Sequence, residues 1–335
     1  AAAAIALLGA RSVVRTLDFG DARRLWTYEV ERSPRYLAAL EYFVVEERRA
    51  SRPRAALRIA EHARREAAGT ASRFGTGSLL ASAFEALMVI TPDLDRARLL
   101  ALRRFVADLR ARRDAVLLGP EGKAIFQVPA QSETARVLHG LPTTLAALEA
   151  RLASRLGDDA HALALVREIA ARCPDCSEQR VLVPVAARAE DFALATALVQ
   201  NLERTQGKAA AADVAEYLAD AARRHAQAAS APPAARTALR AWFYAGVGAW
   251  GRAYDAARPA LDDPALTPAD GVKVAELAFR AGDLATAQAL LQRWETTPVI
   301  EARFTEWALD MGWIDRPRPP EAALPPALAA VLDRP

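Results

Sequence analysis

Four stretches of the chain repeat one arrangement of apolar and polar positions: RLGDDAHALALVREIAARCPD, RAEDFALATALVQNLERTQG, VGAWGRAYDAARPALDDPAL and RAGDLATAQALLQRWETTPV. Each opens on a small or acidic turn and then places an alanine in the following helix: Ala162, Ala195, Ala253 or Ala287. Four positions on stands Val166, Val199, Ala257 or Leu291, one helical turn further along the same face. Two helices that cross closely need a small side chain at the crossing, and the next bulky residue fills the hole left by the neighbouring hairpin. The pattern therefore predicts helical hairpins stacked in succession.

The alanines are 33 residues apart between Ala162 and Ala195 and 34 apart between Ala253 and Ala287. With Pro174, Pro264 and Pro298 near the closing position, this resembles the tetratricopeptide repeat, a helix-turn-helix unit of about 34 residues. SPRYLAALEYFVVEERRASRPRAALRIAEHAR, at 33 to 64, fits the same template with Ala56 as the small residue. The aromatic and Leu-Gly positions of the repeat's first helix are mostly absent, so the repeats are degenerate. The resemblance implies an all-α, right-handed α-solenoid of TPR-like hairpins with an irregular insertion near 116–131. The expected organisation is an N-terminal helical segment at 1–32, degenerate repeats at 33–115 and the insertion at 116–142. TPR-like repeats follow at 143–314, and a proline-rich cap at 315–335.

Local signals refine this. Ser33-Pro34, Thr91-Pro92, Thr267-Pro268 and Thr297-Pro298 each set a capping side chain before a proline suited to the first helical position, predicting four helix starts. A helix is expected from Thr91 to about Arg113. LLGPEGKAIFQVPAQ breaks the helical pattern with two glycines and two prolines. The 58 residues between Ala195 and Ala253 are too many for one repeat, and KAAAADVAEYLADAARRHAQAAS reads as an extra amphipathic helix before Pro232-Pro233.

Composition agrees with a helical chain: 52% of residues are apolar, and strand-favouring types are sparse among alanine, leucine and arginine. The net charge is +3; only Lys123, Lys208 and Lys273 among the 44 basic residues are lysines. The arginines alternate with acids, as in EERR at 46–49, rather than forming a basic stripe with interleaved aromatics, which argues against a nucleic-acid partner. Cys173 and Cys176 have the spacing of a redox dithiol but follow a repeat end with no preceding strand. His62, His139, His161 and His225 show no paired spacing to complete a zinc site. A turn between helices is the expectation, with a local disulfide if oxidised, and a redox or metal role is the lesser alternative. RFGTGSLL and LGPEGKAIF fail the phosphate-loop spacings, Asp158-Asp159 and Asp262-Asp263 lie at turns where carboxylates cap helices, and neither GxSxG nor HExxH occurs. No cofactor, metal or catalytic residue is expected.

The chain opens on nine apolar residues and reaches Arg11, which fits either a buried first helix or the end of a membrane helix. The stretch with Arg11, Arg15, Asp18-Phe19, Leu25-Trp26 and Ser33-Pro34 resembles the junction in bacterial polytopic membrane proteins similar to O-mannosyltransferases. That resemblance implies an extracytoplasmic, periplasmic or membrane-associated repeat domain with an N-terminal tether. The arginines beside such a helix end run against the usual charge bias.

Registering the repeats on their alanines puts Trp242 on a groove-lining position of a first helix, apart from the other tryptophans, which are expected in the core. The same register puts Arg48, Arg151, Arg155, Arg180, Arg188, Lys273 and Arg280 at or near groove-facing positions. A basic groove of that kind suits a protein or peptide partner, acidic or carboxylate-bearing. The leading expectation is a non-catalytic protein-protein interaction scaffold. The alternatives are an accessory repeat domain of a membrane glycosyltransferase-like enzyme with its catalytic part elsewhere, and a structural subunit of a larger membrane-associated assembly.

Overall fold

A computed structural model describes residues 21–67, 76–118, 133–174, 176, 178–262 and 266–332. Among these the chain is all-α, with sixteen α-helices, no strand and successive helices packed in pairs, as in a solenoid. It divides into two compact units, Ala1–Ile90 with Gly312–Pro335, and Thr91–Met311.

The first unit contains α1 (Ala22–Arg32), α2 (Leu37–Arg49), α3 (Pro53–Ala67), α4 (Thr76–Ile90) and α16 (Pro326–Leu332). Hairpin α2/α3 carries the core, with Leu40, Phe43, Ala56 and Ile59 fully buried, and Leu328 of α16 joins them. The proline-punctuated tail is stitched on by polar contacts. Asp315 accepts from the N–H groups of Arg54 and Ala55 at 2.8 and 2.9 Å, capping α3 from 260 residues away.

The second unit contains α5 (Arg96–Leu118), α6 (Glu133–Arg155), α7 (Asp159–Arg172), α8 (Gln179–Arg188), α9 (Phe192–Gln206), α10 (Lys208–Ser230), α11 (Pro233–Gly246), α12 (Trp250–Ala257), α13 (Pro268–Ala281), α14 (Leu284–Leu291) and α15 (Thr297–Asp310). The hairpins are α6/α7, α8/α9, α11/α12 and α13/α14, and α10 is the extra helix expected between the second and third. Besides its hairpin partner, α8 touches α7, α6 and α10, and α6 and α10 each supply residues to the groove described below.

One turn design recurs in every hairpin. Residues Ser51, Gly157, Glu190, Gly248 and Gly282 all have positive φ, from 57° to 105°. The N–H that follows each reaches back five residues: Arg52 to Glu47, Asp158 to Ala153, Asp191 to Ala186, Ala249 to Tyr244 and Asp283 to Ala278, at 2.8–3.0 Å. This left-handed closure satisfies the carbonyls at the end of one helix. Where that next residue is aspartate, its side chain caps the second helix: Asp158, Asp191 and Asp283 accept from His161, Leu194 and Thr286 at 3.0–3.2 Å. The N–H groups of Ala56, Ala162, Ala195, Ala253 and Ala287 bond back to the carbonyls of those same first residues, and all five alanines are fully buried. Val166 and Leu291 are also fully buried, and Val199 and Ala257 nearly so. The alanines thus occupy one register in five hairpins.

Two expected helix starts move. Ser33 is the C-cap of α1, and α2 begins at Leu37. Thr91 and Pro92 open a turn through Asp93 and Leu94, closed by Asp95 N–H on the Pro92 carbonyl at 3.2 Å, and α5 starts at Arg96, where Asp95 accepts from Arg98 N–H at 3.1 Å. A tertiary contact accompanies the shift: Leu94 N–H, within the turn, donates to the Ala281 carbonyl at 2.8 Å. Thr267 caps α13 as expected, accepting from Asp270 N–H, whereas Thr297 is already the first residue of α15. The expected insertion near 116–131 begins on the last turn of α5, and beyond Leu118 it lies outside the described residues. The opening apolar run and Gly75 of RFGTGSLL also lie outside the described residues, and Gly77 lies on α4. No described helix is long and apolar enough to cross a membrane.

Cys173 and Cys176 lie between α7 and α8 as free thiols. Cys176 Sγ donates to the Cys173 carbonyl at 3.0 Å, and so does the Gln179 amide at 2.8 Å. They form part of a turn.

Candidate functional site

Helix α8 presents Arg180, Val181, Pro184, Val185 and Arg188 along one face, at the spacing of successive helical turns. The neighbouring helices add Arg151 from α6 and Asp213, Val214 and Tyr217 from α10. Together they line a groove of about 390 Å³, with an apolar floor and guanidinium groups at both ends. Pro184 lies inside α8 and has no N–H to return to the Arg180 carbonyl, so one helical hydrogen bond is missing at the groove.

The two ends differ. At the open end, Arg180 pairs with Asp213 and donates to the Ala210 carbonyl at 2.8 Å. The Arg180 hydrogen bond holds the Asp213 carboxyl below its ordinary range. At the inner end, Arg188 Nε donates to the Val247 carbonyl at 2.6 Å, tying the end of α8 to the α11/α12 turn. Burial pushes the Arg188 guanidinium down from its usual pKa, with Asp93 opposing that and Arg155 and Arg151 adding to it. Burial, with Arg155 beside it, pushes Arg151 down to about 10. Burial also raises the Tyr217 phenol, against the pull of Arg188. The Tyr217 hydroxyl is buried with no hydrogen-bond partner.

Behind this end runs the segment before α5. Asp93 is 8% exposed and accepts from Arg155 Nε at 2.7 Å and from Gly251 N–H at 3.2 Å. Arg155 also donates to the Thr91 carbonyl, and Arg96 donates to that of Leu156 at 3.0 Å. The segment therefore crosses the turns of several hairpins, with its one buried carboxylate among their arginines.

Comparison of the chain with protein-family models, with curated proteins and with solved structures finds no match. The site rests on its own geometry.

Of the residues singled out by sequence, Arg151, Arg180 and Arg188 share the groove. Arg155 lies behind it, engaged with Asp93. Trp242, on α11, is 42% exposed and lies under the Arg224 guanidinium at 4.3 Å from the ring centre. Lys273 is exposed beside Asp270, and Arg280 pairs with Glu276 over the Trp250 ring. Arg48, in the first unit, pairs with Glu85. Sequence reasoning missed Tyr217, Asp213 and the apolar floor of Val181, Pro184 and Val185. Treating α10 as an insertion gave its residues no groove register, yet Asp213 and Tyr217 stand four apart, the spacing of one helical face. Asp93 carried no local signal at all, because its partners are 62 and 158 residues away. Among the described residues no group of three or more His, Cys, Asp or Glu could hold a metal.

Chemically, the groove offers planar guanidinium groups beside an aliphatic and aromatic surface. That combination suits an oxyanion carried next to an apolar group.

Proposed function

We propose that the second unit is a binding module of tetratricopeptide-like hairpins that holds an acidic segment of a protein partner in the α6–α8–α10 groove. The observation that carries this reading is the convergence of Arg151, Arg180 and Arg188 around one apolar floor. Each carboxylate of an extended acidic peptide can be met by a guanidinium fork, while intervening apolar side chains lie on Val181 and Val185. The partner is a protein and the role is non-catalytic.

The test is fluorescence anisotropy of labelled decapeptides alternating Glu with Leu or Val, against the same peptides with Gln for Glu. Arg180→Glu is the informative variant, since Arg180 is at the rim and its loss leaves the core intact. Loss of a charge-assisted contact predicts binding weakened by about tenfold or more in Arg180→Glu. Equal binding of Glu and Gln peptides, or equal binding to wild type and Arg180→Glu, overturns the reading.

A further inference from the structure

Among the described hairpins of the second unit, α6/α7, α8/α9 and α13/α14 cap their second helix from within. Asp158, Asp191 and Asp283 each follow a turn residue of positive φ, and each stands at φ of −86° to −88° and ψ of 68° to 73°. Hairpin α11/α12 has Ala249 at that position, with φ of −91° and ψ of 69°, so its backbone is set for a cap that its side chain cannot make. The carboxylate comes from elsewhere in the chain. Asp93, 158 residues away, accepts from Gly251 N–H in the first turn of α12 at 3.2 Å. The first unit repeats the arrangement, with Arg52 after Ser51 and Asp315 accepting from Arg54 and Ala55.

Asp93 belongs to a segment that holds three hairpins at once. Its carboxylate also accepts from Arg155 Nε at 2.7 Å, Arg155 donates to the Thr91 carbonyl, and Arg96 donates to the Leu156 carbonyl at 3.0 Å, all at the end of α6. Leu94 N–H reaches the Ala281 carbonyl at the α13/α14 turn at 2.8 Å. Gly282 of that turn comes so close that a Cβ there would lie 2.5 Å from Pro92 Cβ. In a stack of hairpins each ordinarily contacts only its neighbours, so opening can begin in any one of them. Here a single short segment joins α6/α7 to α11/α12 and α13/α14, with α8/α9 and α10 lying between the first two in the chain.

We propose that residues 91–95 are a strap that closes the turn face of the second unit by occupying the cap that α12 lacks. With the strap docked, the hairpins open together. With it released, α12 loses its cap and the hairpins that the strap joins open separately. The proposal does not rest on the groove reading.

Ala249→Asp is the decisive variant, because it gives α12 a cap of its own and sets a second carboxylate at the helix end that Asp93 occupies. Hydrogen–deuterium exchange of the full chain, read by mass spectrometry on peptides spanning 91–96 and 249–257, follows strap and helix separately. In Ala249→Asp the strap should exchange faster while α12 stays as protected as in wild type. In Asp93→Ala both should exchange about tenfold faster, the loss of one charge-assisted cap. In the double variant α12 should recover and the strap should not. Strap protection unchanged by Ala249→Asp overturns the proposal, and so does α12 protection lost in that variant or unchanged by Asp93→Ala. Should Asp93→Ala fail to fold, Ala249→Asp decides alone by the same two readings.

Discussion

Two nitrogens of Arg318 each lie 2.6 Å from the carboxylate of Glu47, joining the tail to hairpin α2/α3 across 271 residues. Arg52 Nε reaches the same carboxylate at 2.7 Å, and Glu47 is 1% exposed. Removing Arg318 takes two charge-assisted hydrogen bonds from a buried carboxylate that Arg52 still holds, a loss of about 1.5–3 kcal/mol. Arg318→Met is expected to destabilise the first unit on that scale, read as a lower denaturation midpoint.

The same cluster sets a pH dependence. Burial opposes ionisation of Glu47, but the Arg318 and Arg52 hydrogen bonds overcome it and hold its pKa below the ordinary 4.5. The unfolded chain therefore takes up the proton first as acid is added. This stabilisation is complete above the unfolded value, declines as pH falls below about 4.5, and is lost once pH passes the folded value. Acid unfolding of Glu47→Gln should lack that part of the slope, and identical pH profiles would exclude the cluster as its source.

The hairpin crossings predict an asymmetry within one helix. Ala162→Leu forces extra volume into a fully buried crossing and should cost about 1–3 kcal/mol or more. Ala164→Leu, two residues away on the exposed face, should stay within about 0.5 kcal/mol of wild type. Urea denaturation of the pair measures the difference.

That asymmetry is also where the sequence was most legible. The alanines at N-cap plus four, the aspartate caps and helix α10 all follow from local spacing, and local spacing survives packing. The shifted start at Thr91 goes with a partner several hairpins away, Leu94 bonding to Ala281, while Ser33 closes α1 through a local bond to the Glu29 carbonyl. The groove was half legible for the same reason. Arg151, Arg180 and Arg188 followed from repeat register, while Tyr217 sits on a helix outside the repeat period.

Glu190 holds φ of 61° where the other turns of the second unit use glycine. A side chain with Cβ pays roughly 1–2 kcal/mol in that region. Its carboxylate accepts from Tyr244 Oη at 2.9 Å and lies 3.1 Å from His225, which offsets the strain. Glu190→Gly and Glu190→Ala lose those contacts equally, so their difference isolates the backbone. The glycine variant should be the more stable by about 1 kcal/mol by thermal or urea unfolding.

Burial first, and the Cys173 thiol second, push the Cys176 thiol well above the usual range, so little thiolate forms at neutral pH. Thiolate is the nucleophile, so iodoacetamide at pH 8 should alkylate Cys176 far more slowly than an unhindered peptide cysteine. Alkylation at the peptide rate would indicate an activated thiol instead of a turn residue.

The central claim, that the α6–α8–α10 groove receives the partner, is tested most directly by photo-crosslinking. An acidic decapeptide carrying a benzophenone side chain is bound to the full chain, irradiated, and its attachment points are read by mass spectrometry. Adducts at Val181, Pro184, Val185 or Tyr217, suppressed by Arg180→Glu, are the predicted result. Adducts concentrated around Trp242, Lys273 or the first unit, with the groove unlabelled, would contradict it.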